Sequence, residues 1–130
     1  MGLFSRKSAN DYIDMALNLF RSPSVDREST FRRIKDLLFQ AQSLEPRNPD
    51  IYMIIGWIDN QFNHFESAIS NSTRAIELNP QYADAYYNRG YAKSQLMDYH
   101  GAISDFDSAI RINPNFNEAI QDREMIRSML

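Results

Sequence analysis

The stretch from Ala83 to Phe116, ADAYYNRGYAKSQLMDYHGAISDFDSAIRINPNF, has its residue types repeated upstream at a fixed spacing of 34 residues. The upstream copy, residues 49–82, reads PDIYMIIGWIDNQFNHFESAISNSTRAIELNPQY. The matching pairs are Asp50 with Asp84, Tyr52 with Tyr86, Gly56 with Gly90, Ala68 with Ala102, Ala75 with Ala109 and Asn79-Pro80 with Asn113-Pro114. A fixed period of this length indicates an internal repeat, in which each copy is one structural unit.

Each copy has the residue spacing of two helices joined by a short turn. In the later copy Tyr86, Gly90 and Lys93 fall on one helix, and a second apolar face follows at i, i+3, i+4 and i+7. The small residue Gly90 allows two helix backbones to approach closely, and Phe106 fills the space beside it. Pro114 is unable to continue a helix and therefore closes the unit.

These residues resemble the tetratricopeptide repeat, whose 34-residue pattern has an aromatic residue, Leu-Gly, Tyr, a later Ala, Phe or Tyr, and a closing Pro. The matching residues are Tyr86, Gly90, Ala102, Phe106, Ala109 and Pro114, and in the earlier copy Tyr52, Ile55, Gly56, Ala68, Ala75 and Pro80. The chain departs from the pattern at Arg89, Lys93, Asp59 and Ser72, which affects packing detail. The resemblance implies an all-α fold, a right-handed α-solenoid (superhelix) of antiparallel helix pairs.

The predicted organisation has five parts. Aligning Ala16 with Gly56 and Gly90 makes the first unit an atypical repeat, with a longer inter-helix loop at Ser22-Pro23-Ser24. The parts are an N-terminal tail at 1–10, the atypical first repeat at 11–48, a second repeat at 49–82, a third repeat at 83–116, and a C-terminal capping helix at 117–130.

Composition narrows the class of function. The 130 residues carry a net charge of −3, which gives no general attraction to nucleic acid. No cysteine is present, which excludes disulfides and thiolate metal sites and fits a cytoplasmic location. The longest apolar run, residues 51–58, is too short to span a bilayer.

No catalytic constellation is present, so we expect no enzyme activity, no cofactor and no metal site. His64 and His100 are the only histidines, and they lack a placed carboxylate that would complete a metal site. Asp105 and Asp107 flank Phe106 and, being two apart on a helix, point away from each other. We expect both carboxylates at the surface.

The resemblance also implies a concave groove lined by the first helix of each pair. Carried over residue by residue, the groove has an aromatic and apolar floor with acidic side chains along it. The predicted partner-binding residues are Ile13, Leu17, Phe20, Met53, Ile54, Trp57, Tyr87, Asn88 and Tyr91, with Asp50 and Asp84. Asp14, Glu118 and Asp122 fall along the same side.

Exposed aromatic and Met side chains are typical of protein-binding surfaces, and acidic neighbours favour a basic segment. We therefore predict a scaffold or adaptor that binds an apolar or basic segment of a protein or peptide. Two alternatives stay open: a homo-oligomer formed through the same groove, and a groove filled by the chain itself, in which Met53, Ile54 and Trp57 only pack. Chaperone-binding members of the family clamp a terminal carboxylate with Lys, Asn and Arg, and of the matching places only Asn88 fits. Acidic chaperone tails are therefore not expected to bind.

Overall fold

The computed structural model describes residues 5–130, all of whose regular elements are α-helices. They are α1 (Ala9–Arg21), α2 (Arg27–Leu44), α3 (Pro49–Gln61), α4 (Phe65–Leu78), α5 (Ala83–Gln95), α6 (Tyr99–Ile112) and α7 (Asn117–Met129). Part of the predicted tail, residues 1–4, lies outside the described residues. The chain divides into two compact units, one ending at Ile51 and the other running from Tyr52 to Leu130.

In the first unit α1 packs against α2. Ser8 starts α1 two residues earlier than the apolar pattern predicts, because it forms a capping box with Asp11. The Ser8 Oγ accepts the Asp11 N–H at 3.2 Å, and the Ser8 N–H donates to Asp11 Oδ2 at 2.7 Å. Asp26 caps α2 by accepting the Ser29 N–H at 3.1 Å. The predicted long loop therefore spans residues 22–26.

In the second unit the repeat is reproduced in the backbone of the inter-helix turns. Asn63 and Met97, which are 34 residues apart, both have left-handed φ angles of 63° and 66°. The N–H of the residue after each donates to a carbonyl five residues back, His64 to Asp59 at 2.8 Å and Asp98 to Lys93 at 2.9 Å. This pattern is the Schellman helix ending, which requires one left-handed residue.

The core of the second unit depends on small residues between helices. Phe106 is fully buried with Ala102, Ala109, Ala119 and Ile126. A Cβ added to Gly90 would lie 2.8 Å from Phe106 Cε1, so only glycine lets α5 approach this ring. The predicted roles of Gly90 and Phe106 are thus the ones that the packing requires.

The expectation that Asp105 lies at the surface is wrong. Asp105 is 3% exposed, and its carboxylate accepts hydrogen bonds from Arg89, while Lys93 Nζ lies 3.1 Å from Oδ2. Asp107 is exposed as expected. The two residues lie about 200° apart around the helix, so one of them faces α5 when the other faces solvent.

Three of the four departures from the repeat pattern, Arg89, Lys93 and Asp59, have polar partners on the other helix of their repeat. Arg89 and Lys93, which replace Leu and Tyr, share Asp105. Asp59, which replaces another Tyr, is fully buried and accepts hydrogen bonds from Ser67 Oγ at 2.7 Å and Asn71 Nδ2 at 3.0 Å. Polar side chains at these places are therefore paired across the two helices of a repeat.

Candidate functional site

The second unit contains a cavity of about 570 Å³, here named the α3–α5 cavity. Its walls are side chains of α3 and α5, with the start of α7 and the residue before it at one end. The lining residues are Met53, Trp57, Asn60, Gln61, Asp84, Tyr87, Asn88, Tyr91, Phe116 and Glu118.

Helical spacing places these side chains on the same side of each helix. Met53, Trp57 and Asn60 are four and three residues apart on α3, so they share one face. Asp84, Tyr87 and Tyr91 are three and four apart on α5 and do the same. The cavity is therefore the space between two helix faces that each carry aromatic side chains.

Tyr87 is held in a fixed position at the end of the cavity. Its ring centroid is 5.0 Å from that of Phe116 and 5.6 Å from that of Phe106, both in tilted arrangements. Its hydroxyl donates to Asp122 Oδ2 on α7 at 2.7 Å. Burial and then the Asp122 carboxylate raise the pKa of the Tyr87 phenol well above its ordinary value. The Tyr87 hydroxyl therefore stays protonated at neutral pH and donates its proton to the hydrogen bond with Asp122.

Hydrogen bonds from two asparagine side chains connect α3 and α5. Asn60 Nδ2 donates to the carbonyl of Asn88 at 2.9 Å, and Asn88 Nδ2 donates to the carbonyl of Met53 at 3.4 Å. Both asparagines are 5% exposed. Each helix therefore receives a side-chain hydrogen bond from the other, which fixes the spacing of the two cavity walls.

The charge at the cavity is negative. Asp84 and Glu118 line it, and its described lining includes no Lys, Arg or His. Desolvation of the carboxyl, followed by the charge of Glu118, raises the pKa of Asp84, although the residue as a whole is exposed. Within residues 5–130 neither carboxylate forms an ion pair. The site is therefore complementary to positive charge.

The structure brings six of the eleven predicted binding residues to this cavity: Met53, Trp57, Asp84, Tyr87, Asn88 and Tyr91. Ile54 is half-buried and Asp50 is exposed, and neither lines it. Ile13, Leu17 and Phe20 lie on α1 in the first unit, where Ile13 is buried and the other two are half-buried.

Four lining residues were not among the predicted binding residues: Asn60, Gln61, Phe116 and Glu118. Asn60 was accessible to sequence reasoning, because it is three residues after Trp57 on the same helix. Glu118 was assigned to the acidic side of the groove but not to the binding residues. Phe116 precedes a helix, so no periodic pattern places it.

Residues 5–130 offer neither a metal site nor a membrane-spanning helix. That part of the chain has no group of three or more His, Cys, Asp or Glu side chains placed to hold a metal ion. None of its helices combines the length and apolar character needed to cross a bilayer.

Comparison with known proteins identifies the repeats. A family model described as tetratricopeptide repeat matches residues 83–116, and a second, described as TPR repeat, matches residues 60–96. No curated protein matches the chain.

Solved structures of the same fold are similar over nearly the whole chain. The first TPR of Spaghetti (RPAP3), bound to the HSP90 peptide SRMEEVD, superposes with a TM-score of 0.83 at 21% identity, covering 94% of this chain and 92% of that one. The Arabidopsis OM64 TPR domain gives a TM-score of 0.81 at 18% identity, covering 94% and 96%. The second TPR domain of human RPAP3, in complex with the HSP70 peptide SGPTIEEVD, gives 0.79 at 20% identity, covering 92% and 94%.

The all-α solenoid fold predicted from the repeat is thus confirmed, and the seven helices of residues 5–130 match three helix pairs and a closing helix. Residues 60–116 therefore match tetratricopeptide repeat models, and nearly the whole chain has the fold of solved TPR domains.

Proposed function

We propose that the chain is a protein-interaction module or adaptor that holds an apolar, basic segment of a partner protein in the α3–α5 cavity. The observation that carries this proposal is the combination of aromatic walls with two carboxylates, Asp84 and Glu118, that have no positively charged partner within residues 5–130. Apolar and aromatic surface supplies binding energy, and charge complementarity selects the partner. The proposal assigns no catalytic step, no cofactor and no nucleic acid.

The charge of the cavity supports a preference different from that of two structural neighbours. The peptides SRMEEVD and SGPTIEEVD, bound to the RPAP3 domains, both carry the acidic sequence EEVD. Such a tail would bring its carboxylates toward Asp84 and Glu118. Like charges brought together at an interface disfavour the complex, so we propose that acidic tails are rejected.

Ile13, Leu17, Phe20, Ile54 and Asp50 remain proposed contributors to a longer binding surface. A cytoplasmic location is likewise part of the proposal, supported by the absence of cysteine.

The proposal is tested by titrating synthetic peptides into the protein and following the emission of Trp57, the only tryptophan. An amphipathic basic peptide should change the emission and saturate, whereas SRMEEVD should not. Trp57→Phe with Tyr91→Ala should weaken the basic peptide strongly when binding is measured by calorimetry, with helicity unchanged in circular dichroism. Preferential binding of SRMEEVD, or unchanged affinity in the variant, would overturn the proposal.

Self-association is the second candidate, because α7 exposes Met125 and Met129 together with Leu130. Light scattering over a dilution series distinguishes the two. Mass that rises with concentration, together with Trp57 burial that disappears on dilution, would favour a homo-oligomer. A monomeric mass at every concentration would exclude self-association and favour a different protein as the partner.

A further inference from the structure

Asn60 has a buried hydrogen-bond acceptor without a donor. Its Oδ1 is inaccessible to solvent and unpartnered within residues 5–130, while its Nδ2 is used by the carbonyl of Asn88. Exchanging the two amide atoms would place Oδ1 against that carbonyl oxygen, so the hydrogen bond fixes the orientation. Buried side-chain acceptors nearly always have a partner, and Asn60 lines the α3–α5 cavity. The exception therefore points to a donor supplied from the cavity.

Two side-chain donors of the cavity lining are already used. Asn88 Nδ2 donates to the carbonyl of Met53, and the Tyr87 hydroxyl donates to Asp122. The acceptors Asp84 and Glu118 have no hydrogen bond or ion pair from residues 5–130. Desolvation, and after it the charge of Glu118, raises the pKa of Asp84, which is consistent with a carboxyl that lacks a positively charged neighbour within residues 5–130. An occupant that complements this lining is rich in N–H donors and positively charged.

The aromatic side chains narrow the choice between cations. Trp57, Tyr87 and Tyr91 line the cavity together, and a cation over an aromatic face is attracted by the ring. A guanidinium is planar, is weakly hydrated, stacks on aromatic faces and carries five N–H donors in a fixed fork. A lysine ammonium is a compact, strongly hydrated charge with three donors.

We propose that the α3–α5 cavity is a specificity pocket for one arginine side chain of the bound segment. The guanidinium is balanced by Asp84 and Glu118, lies among Trp57, Tyr87 and Tyr91, and donates to Asn60. This inference rests on the proposed function and adds the residue type that the cavity selects.

The first test uses N-acetyl-arginine amide, with the citrulline and lysine amides as comparisons. Citrulline keeps the shape of arginine and lacks its charge. The probe is titrated into the isotope-labelled protein, and the indole N–H signal of Trp57 is followed by NMR. The arginine amide should shift the signal and bind about tenfold more tightly than citrulline amide, with lysine amide between them. Equal binding of arginine and citrulline amides, or no shift with any of them, would overturn the inference.

The second test neutralises the pocket. Asp84→Asn with Glu118→Gln should weaken the arginine amide about tenfold or more. The matched control is Glu28→Gln with Glu66→Gln, which removes two exposed first-turn carboxylates of α2 and α4 outside the cavity. The control should bind as the unchanged protein does; equal weakening in both would reduce the effect to net charge and overturn the pocket.

Peptides separate this inference from the function on which it rests. A short amphipathic peptide with one central arginine is compared with versions that carry citrulline or norleucine there. Loss of affinity in both versions supports the pocket. Equal affinity of all three would leave the interaction module in place and remove the arginine pocket, whereas no binding by any of them would remove both.

Discussion

Arg89 and Asp105 form a two-point ion pair between α5 and α6. Arg89 Nε lies 2.9 Å from Asp105 Oδ2, and Arg89 Nη2 lies 2.8 Å from Oδ1. Lys93 approaches the same carboxylate at 3.1 Å. Two positions at which the chain departs from its repeat pattern are thus satisfied by one buried acid on the facing helix.

Replacing Asp105 should therefore be far more costly than replacing the aspartate two residues later. Asp105→Ala leaves Arg89 and Lys93 partly buried without their counter-charge and should lower the free energy of unfolding by about 3 kcal/mol. Asp107→Ala, on the same helix, removes only surface ion pairs with Arg123 and Arg127 and should cost about 0.5 kcal/mol. Urea unfolding followed by circular dichroism measures both; equal losses would contradict the assigned role of Asp105.

Gly56 and Ser72 form a second close contact, where α3 meets α4. A Cβ added to Gly56 would lie 2.7 Å from Ser72 Oγ, which is itself buried and has no hydrogen-bond partner in the described part of the chain. Ser72→Ala should raise the free energy of unfolding by about 1 kcal/mol, because it removes an unsatisfied hydroxyl. Gly56→Ala alone should lower it by about 1–3 kcal/mol through overpacking. The double variant should lose much less than Gly56→Ala does, and strict additivity of the two changes would argue against the contact.

Met97 has a left-handed backbone conformation that suits asparagine better. Its side chain is 76% exposed, so little packing is lost on replacement. Met97→Asn should increase the free energy of unfolding by about 0.5–1 kcal/mol, because asparagine adopts this conformation at lower cost. Asn63→Met, the reverse change at the equivalent turn, should decrease it by a similar amount. Thermal and urea unfolding measure both, and changes of the same sign in the two variants would refute the backbone explanation.

The Tyr87 hydroxyl should contribute to the free energy of unfolding up to alkaline pH. Its folded pKa is raised, so its contribution to stability is present below the ordinary tyrosine pKa of about 10 and declines as the pH rises above that value. Tyr87→Phe should lower the free energy of unfolding at neutral pH by about 1–2 kcal/mol through loss of the hydrogen bond to Asp122. It should also make the loss of stability above about pH 10 less steep.

Tyr86→Phe is the matched control, because the exposed hydroxyl of that neighbour donates only to the carbonyl of Pro80. Its effect at neutral pH should be small. If Tyr86→Phe lowers the free energy of unfolding as much as Tyr87→Phe does, the hydrogen bond between Tyr87 and Asp122 is not the cause of the lost stability.

Asp84 should make the free energy of unfolding depend on pH in the acidic range. Its pKa is higher in the folded chain than its ordinary value, so ionisation costs stability as the pH rises through the raised value. Asp84→Asn should therefore be more stable than the unchanged protein at neutral pH, and the difference should shrink on acidification. Binding of arginine amide should weaken over the same acidic range. Unfolding curves between about pH 3 and pH 7 test this, with Glu66→Gln as the control for net charge. A difference that grows as the pH falls would reverse the sign and refute it.

The repeat in the sequence was sufficient to predict the helix pairs and part of the cavity wall. Small residues, aromatic residues and prolines recur with the helical period, and local backbone physics converts that period into faces. Trp57 and Tyr91 could be assigned to one side of their helices for this reason. Helix starts were less accessible, because the start of α1 depends on a capping box formed by Ser8 and Asp11 rather than on apolar spacing.

The pairing of polar groups required the tertiary structure. From the sequence alone Asp105 is expected at the surface, because its partners Arg89 and Lys93 belong to another helix. The sequence likewise gives no sign that Asn60 Oδ1 lacks a partner, because this follows from the hydrogen bond between Asn60 Nδ2 and the carbonyl of Asn88 on α5. The sequence by itself determined the period, the helices and the faces, because these follow from the order of residues along one chain segment. Only the tertiary structure decided which buried polar groups of residues 5–130 have a hydrogen-bond partner and which have none, because that depends on distances between segments.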